Sequence, residues 1–147
     1  FAGVGPFPLV IFKKQPKAKS WAIELNPVAV KYLKQNIMLN NATNSIFPFL
    51  GDVRKVAPKL GIKFNRILMP LPKGAEDFLD VAFKCAAKGC IIHFYAFSKA
   101  EDPFSETIEK VSAKAKKNNK RIKIINKRIV RPYAPHIVQV VIDAKVL

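Results

Sequence analysis

The sequence predicts an α/β protein with a mostly parallel sheet, flanking helices and an antiparallel C-terminal hairpin. Three observations predict it. Strand-length apolar segments alternate with segments of helical periodicity through most of the 147 residues, the pattern of strands joined by helical crossovers. A glycine turn, Gly3-Val4-Gly5, is followed by Glu24 at the end of an apolar run, about the 20-residue spacing at which a strand–turn–helix unit meets a ribose. Residues 121–131 and 136–146 read as strands with only a short connection between them. A parallel crossover needs roughly a dozen residues or more, so these two strands are expected to pair antiparallel.

The elements follow in order. Residues 7–12 read as a helix closed by Lys13, Lys14 and Pro16, and residues 19–25 as a strand. Asn26-Pro27 supplies an N-cap and a proline at the first helical position, and Val28, Val30, Leu33, Ile37 and Met38 form the apolar face of a helix running to Asn40. After a turn at 41–44, residues 46–50 form a strand that Pro48 confines to an outer position. Gly51-Asp52 ends that strand, a weak helix covers 53–60, and residues 64–69 are a strand of the buried type. Pro70-Leu71-Pro72-Lys73 then forces the backbone out of the strand. A helix over 75–87 is expected to be capped by Gly89 in the left-handed conformation, with a strand at 90–97 and a basic amphipathic helix at 103–117 before the hairpin.

Composition narrows the function. Lys and Arg total 26 against 10 Asp and Glu, a formal charge of +16, more than solubility requires and directed at a polyanion, with nucleic acid the first choice. No apolar run reaches the roughly 18 residues of a membrane span, and no signal-like N-terminus is visible, so no membrane association is expected. Cys85 and Cys90 lack CxxC spacing, and no histidines cluster. Neither a disulfide framework nor a metal site is therefore expected, and a reducing cytoplasm is the consistent compartment. The expected state is a monomer.

The third glycine of a dinucleotide fingerprint would fall at position 8, where Pro8 stands. This favours a smaller, adenosine-type cofactor, and S-adenosylmethionine fits. FAGVGPF at 1–7, AIELNPVAVKYLKQNIMLN at 22–40, GDVR at 51–54, NRILMPLPK at 65–73, GCIIHFY at 89–95 and RPYAPHIVQVVID at 131–143, in this order, resemble the archaeal and eukaryotic-type tRNA (guanine-N1)-methyltransferase family, which modifies the purine at tRNA position 37. The resemblance spans nearly the whole chain. It implies a Rossmann-like S-adenosylmethionine-dependent methyltransferase fold, with residues 1–147 a catalytic domain truncated at its N-terminus. A glycine turn of this kind follows a strand, so the first strand is expected upstream of Phe1, together with tRNA-binding domains and the general base. No catalytic residue is assigned within the chain.

At the carboxyl ends of the strands, the turn residues Phe1, Ala2, Gly3, Val4 and Gly5 would approach the methionine portion of the cofactor. Glu24 would accept the ribose hydroxyls, with Leu25 and Asn26 beside the adenosine. In the resembled family the aspartate at Asp52 accepts from the adenine amine, with Val53 packed near the ring. The same residues also have plain readings as turn glycines, a solvated strand-end charge and a strand terminator. Pro70, Leu71 and Pro72 occupy the turn that positions the target base in the family. Pro70 stands where an asparagine is usual, which points toward C7 of a wyosine precursor as well as N1 of guanosine. Lys116, Lys117, Lys120 and Arg121, within a basic stretch from Lys110 to Arg131, are the candidate RNA contacts, against the alternative of a solvated face and a protected sheet edge. His93 and His136 read as structural. The rival functions are the wybutosine-pathway aminocarboxypropyltransferase and a non-catalytic tRNA-binding module.

Overall fold

In the computed structural model, which describes residues 1–147, the chain divides into two compact units, Phe1–Leu60 and Gly61–Leu147. The first contains α1 (Pro6–Lys14), β1 (Ser20–Glu24), α2 (Pro27–Leu39), β2 (Ile46–Leu50) and α3 (Val53–Lys59). β1 and β2 pair in parallel, with Glu24 opposite Leu50. Pro48 is tolerated because β2 pairs only with β1.

Helix α2 starts as its sequence dictates. The Asn26 side chain accepts from the Val28 and Ala29 N–H groups, and Pro27 occupies a first-turn position whose N–H would have no helical partner. The buried stripe is narrower than the sequence pattern, comprising Val30, Leu33 and Ile37. Val28 and Met38 are 59% and 60% exposed, because three- and four-residue steps from Leu33 reach Val30 and Ile37 and leave these two beside the face. Leu33 and Ile37 pack with Ala22, Ala42 and Ile46, flanked by Ala2, Leu9 and Phe12.

The second unit contains β3 (Phe64–Met69), a 3-10 turn (Ala75–Phe78), α4 (Leu79–Cys85), β4 (Ala86–Lys99), α5 (Ser105–Lys117), β5 (Ile122–Ala134) and β6 (Ile137–Val146). Its sheet runs β3-β4-β6-β5. β3 is parallel to β4, whereas β6 is antiparallel to both β4 and β5. The hairpin turn is Pro135-His136, shorter than expected, with His136 at φ 59°. Phe83, Ile92, Phe94, Val111 and Ala144 form the centre of the core.

Three expectations need correction here. β3 is not of the buried type: Asn65 and Arg66 are exposed and only Met69 is buried, since β3 pairs on one side alone. The helix over 75–87 is a 3-10 turn followed by the seven residues of α4, and the chain is already in β4 at Ala86. Gly89 is left-handed, at φ 80°, but it does not cap the helix. It lies in the irregularity between Ala86, which pairs with Phe64, and Ile91, which pairs with Arg66, where extra β4 residues must be absorbed.

Gly5 shows how packing positions the N-terminal turn. At φ 93°, a Cβ built there would lie 2.5 Å from Cδ1 of Leu33, a fully buried side chain that would have to shift within the core. Gly3, at φ 55°, would place a Cβ in open space. Gly5→Ala is therefore expected to destabilise the fold by about 2–4 kcal/mol, from left-handed strain plus overpacking. Gly3→Ala should cost about 1–2 kcal/mol from strain alone. Chemical denaturation of the two variants measures the difference, and equal losses would remove the packing role of Gly5.

Candidate functional site

The N-terminal turn is held by groups from β1 and α2. The Ala2 N–H donates to the Ile23 carbonyl at 3.1 Å and the Gly5 N–H to the Ala2 carbonyl at 3.0 Å. The Gly3 N–H donates to Oε2 of Glu24 at 2.8 Å. Asn36 Nδ2 reaches back from α2 to the Val4 carbonyl at 2.9 Å. Asn36 is not among the residues that the sequence singles out, although its place within AIELNPVAVKYLKQNIMLN was the available signal. With these contacts made, the Val4 N–H is the one amide of Ala2–Gly5 without a partner in the chain.

Glu24 uses both oxygens internally. Oε2 takes the Gly3 N–H, and Oε1 takes the Asn26 N–H at 2.9 Å. Partial burial pushes its carboxyl up, but the hydrogen bonds from Asn26 and Gly3 outweigh that and hold it below the usual carboxylate range. Glu24 is thus ionised at neutral pH. Each oxygen retains acceptor capacity for a further donor. The structure brings Gly3, Glu24 and Asn26 together, and Leu25 between them is 68% exposed.

Asp52 follows β2, and the Gly51 N–H donates to the Glu24 carbonyl at 2.9 Å, which ties the ends of the two strands. Its side chain caps α3 through the Arg54 N–H at 2.8 Å and grips the Arg54 guanidinium, with NH2 2.6 Å from Oδ2. That side-chain hydrogen bond brings its carboxyl down to about 2. Both oxygens are therefore engaged by Arg54. A further donor at Asp52 has to share it with a 58% exposed arginine.

In the second unit, Pro70-Leu71-Pro72 leaves the end of β3 half-buried. The turn is fastened to the end of β4, since the Phe97 N–H donates to the Pro72 carbonyl at 3.3 Å. The ring of Phe97 in turn contacts Tyr133, with centroids 4.0 Å apart, a contact the sequence reading did not anticipate. His93 is structural. Its Nδ1 lies 2.7 Å from Asp143 Oδ1 and its Nε2 2.9 Å from Arg66 NH1. The guanidinium can only donate, so Nε2 accepts and Nδ1 carries the proton toward Asp143. His136 is 82% exposed beside Glu101. Cys85 and Cys90 are buried free thiols, pushed up by burial, Cys90 to about 11, and so are poor nucleophiles.

Lys116, Lys120 and Arg121 line one shallow depression with Ser112 and Asn119, and Lys117 is exposed in the same helical turn. Other members of the basic stretch are committed elsewhere. Lys110 pairs with Glu106 at 2.7 Å, and Lys114 with Asp80 at 3.0 Å. No helix is long and apolar enough to cross a membrane.

A strand-end carboxylate fixed by the glycine turn beside it is a device of α/β proteins that hold a ribose. Comparison with known proteins gives the particular family: residues 1–125 match the TRM5/TYW2 methyltransferase domain, and the chain belongs to that family. It is 39% identical over 146 residues to the tRNA (guanine(37)-N(1))-methyltransferase Trm5b of Pyrococcus abyssi, a match covering 99% of this chain and 42% of the relative. The tRNA 4-demethylwyosine(37)-methyltransferase Taw21 of Saccharolobus solfataricus is 33% identical, over 99% of this chain and 52% of that protein. The structure of Methanocaldococcus jannaschii TYW2 in complex with AdoMet superposes with a TM-score of 0.91 at 32% identity, over 99% of this chain and 65% of that one. The chain spans roughly two-fifths to two-thirds of these proteins.

The Asp52–Arg54 pair has a measurable signature. Carbon NMR of the Asp52 carboxyl should give a titration midpoint near 2, moving toward the ordinary value of about 3.9 in Arg54→Ala. Because its folded-state pKa is depressed, the pair's stabilising contribution is present above the unfolded value and is lost as pH falls toward 2. An unchanged midpoint in the variant would show that Arg54 does not hold the carboxylate.

Proposed function

We propose that this chain is the catalytic domain of an S-adenosylmethionine-dependent enzyme that methylates the purine at position 37 of tRNA. The observation that carries the reading is the ionised Glu24 carboxylate, fixed by the Gly3 and Asn26 amides at the end of β1. Its remaining acceptor capacity suits the two hydroxyls of a ribose. The open space at Gly3 and the unpartnered Val4 N–H suit a close backbone approach by the rest of the cofactor. Phe1, Ala2 and Gly5 complete the turn, Leu25 and Asn26 flank the adenosine, and Asp52 and Val53 serve the adenine. When bound, S-adenosylmethionine supplies an electrophilic methyl group on a sulfonium.

The protein's contribution is chiefly orientation of cofactor and base, since sulfonium is already a good leaving centre. Pro70, Leu71 and Pro72, braced by Phe97, hold the base. Lys116, Lys117, Lys120 and Arg121 hold phosphates without reading sequence. The proton on guanine N1 needs a general base. His93 does not qualify, because both its ring nitrogens are engaged.

Pro70 bears on the choice of product. A proline offers no side-chain donor or acceptor to a guanine edge, which favours C7 of the wyosine precursor as a target alongside guanosine N1.

Glu24→Ala in the full-length protein is expected to weaken S-adenosylhomocysteine binding at least about tenfold, the worth of one or two charge-assisted hydrogen bonds. Calorimetric titration measures it, and unchanged affinity would leave Glu24 a bracket for the turn only.

Nucleoside mass spectrometry of tRNA incubated with the full-length protein and S-adenosylmethionine tests the reaction. Expected is a methyl group on residue 37, with Pro70→Asn shifting the product ratio toward guanosine N1. An aminocarboxypropyl adduct would assign the alternative transfer, and no adduct on any tRNA would refute the enzyme reading. An unchanged ratio with full activity would make Pro70 a turn residue alone.

A further inference from the structure

The RPYAPH segment, residues 131–136, closes β5 and turns the chain into β6. It contains the last of three places where β5 carries one residue more than β6. The pairing steps from Ile124 to Asn126, from Ile129 to Arg131 and from Pro132 to Ala134 while β6 advances by single residues, so Ile125, Val130 and Tyr133 are the unpaired bulge residues. A bulge re-aims its side chain, and bulges concentrate next to active sites. Of the three, only Tyr133 carries a ring. It is 59% exposed, and its other side lies against half-buried Phe97 at 4.0 Å between centroids and 32° between planes.

Phe97 is the residue whose N–H donates to the Pro72 carbonyl. The aromatic pair is therefore fastened to the Pro70–Lys73 turn that the reading above gives to the target base. Register places a cation in the same row, because Phe97 and Arg131 both pair with Gln139, one from β4 and one from β5. Arg131 Nε donates to Gln139 Oε1 at 3.0 Å, which steadies the guanidinium and leaves its terminal amino groups for a phosphate. Along β5 stand Lys123, Lys127, Arg128 and Arg131, with no acidic residue. The carboxylates near it are Asp143 of β6, which accepts from Asn126 at 3.2 Å, and two in the loop before α5, where Glu101 lies 3.4 Å from His136 and Asp102 accepts from Ser105.

Protection of a sheet edge accounts for lysines, a proline and bulges. It does not account for a large aromatic ring turned outward on a second ring. We infer that Tyr133, backed by Phe97, is a stacking platform for an unpaired nucleobase of the substrate RNA beside the nucleotide to be modified, with Arg131 and Arg128 taking the flanking phosphates. The occupant follows from the pairing of an open π-face with two exposed arginines, Arg128 and Arg131, on the same strand, the combination that holds single-stranded nucleic acid. This inference rests on the proposal that the substrate is tRNA. It adds a positioning residue beyond the residues 1–125 that the family model matches, within the stretch aligned with the Pyrococcus abyssi relative.

The test is fluorescence titration of the full-length protein with anticodon stem-loops carrying 2-aminopurine at each loop position in turn. Expected is quenching at one loop position, lost in Tyr133→Ala together with about a tenfold rise in Kd, and retained in Tyr133→Phe. Tyr133 is a surface residue, and an unchanged thermal unfolding midpoint in both variants reports an intact fold. Equal quenching by parent and Tyr133→Ala would overturn the inference, as would equal losses in the Ala and Phe variants, which would assign the effect to the hydroxyl. If the quench depends on the Tyr133 ring while mass spectrometry finds residue 37 unmodified by the parent, the platform stands and the reaction assigned above fails.

Discussion

The Glu24 carboxylate between the Gly3 and Asn26 amides is the interaction on which the first unit's geometry depends. One side chain at the end of β1 joins the turn that precedes α1 to the residue that caps α2. Burial opposes its ionisation and the two amides favour it, so the carboxylate is charged and rigid before any ligand arrives. Pre-set acceptors of this kind reduce the ordering cost of binding. Loss of Glu24 would also free both the turn and the helix start, so a change at this one acidic position carries a structural effect alongside the binding role proposed for it.

The other acidic side chains are mostly occupied within the fold. Asp80 binds Lys114 and Asn118, Asp143 binds His93 and Asn126, Glu106 binds Lys110, and Asp52 binds Arg54. Few are left to offset the remaining lysines and arginines, so the field of a chain with formal charge +16 extends outward over α5 and β5. Such a field speeds encounter with a polyanion and weakens with salt. Exposed pairs of this type add little to stability, and their effect here lies in where they leave positive charge uncompensated.

Much of the fold was legible because local chemistry and tertiary role coincide. Asn26-Pro27 starts α2, Gly51-Asp52 ends β2 and starts α3, and the short connection near Pro135 enforces the terminal hairpin. The parts that were not legible depend on register. Nothing local marks Ala86 as strand rather than helix, and Gly89 is left-handed for a bulge that exists only because β4 lies beside β3. The site divides in the same way. Glu24 was evident from its spacing to the glycines, whereas Asn36 on Val4 and Tyr133 on Phe97 join residues more than 30 positions apart.

The position of β6 has a consequence for how the second unit assembles. β4 and β5 do not pair with each other; β4 lies against β3 on one side and β6 on the other, whereas β5 reaches the sheet only through β6, which follows both in the chain. As the polypeptide leaves the ribosome, one edge of β4 and the whole of β5 must wait unpaired until residues 137–146 insert between them. Such long-range pairing is slow relative to helix formation. The lysines and arginines of β5 thus protect a nascent intermediate as well as the finished surface, because charge repulsion keeps waiting strands of neighbouring chains from joining edge to edge.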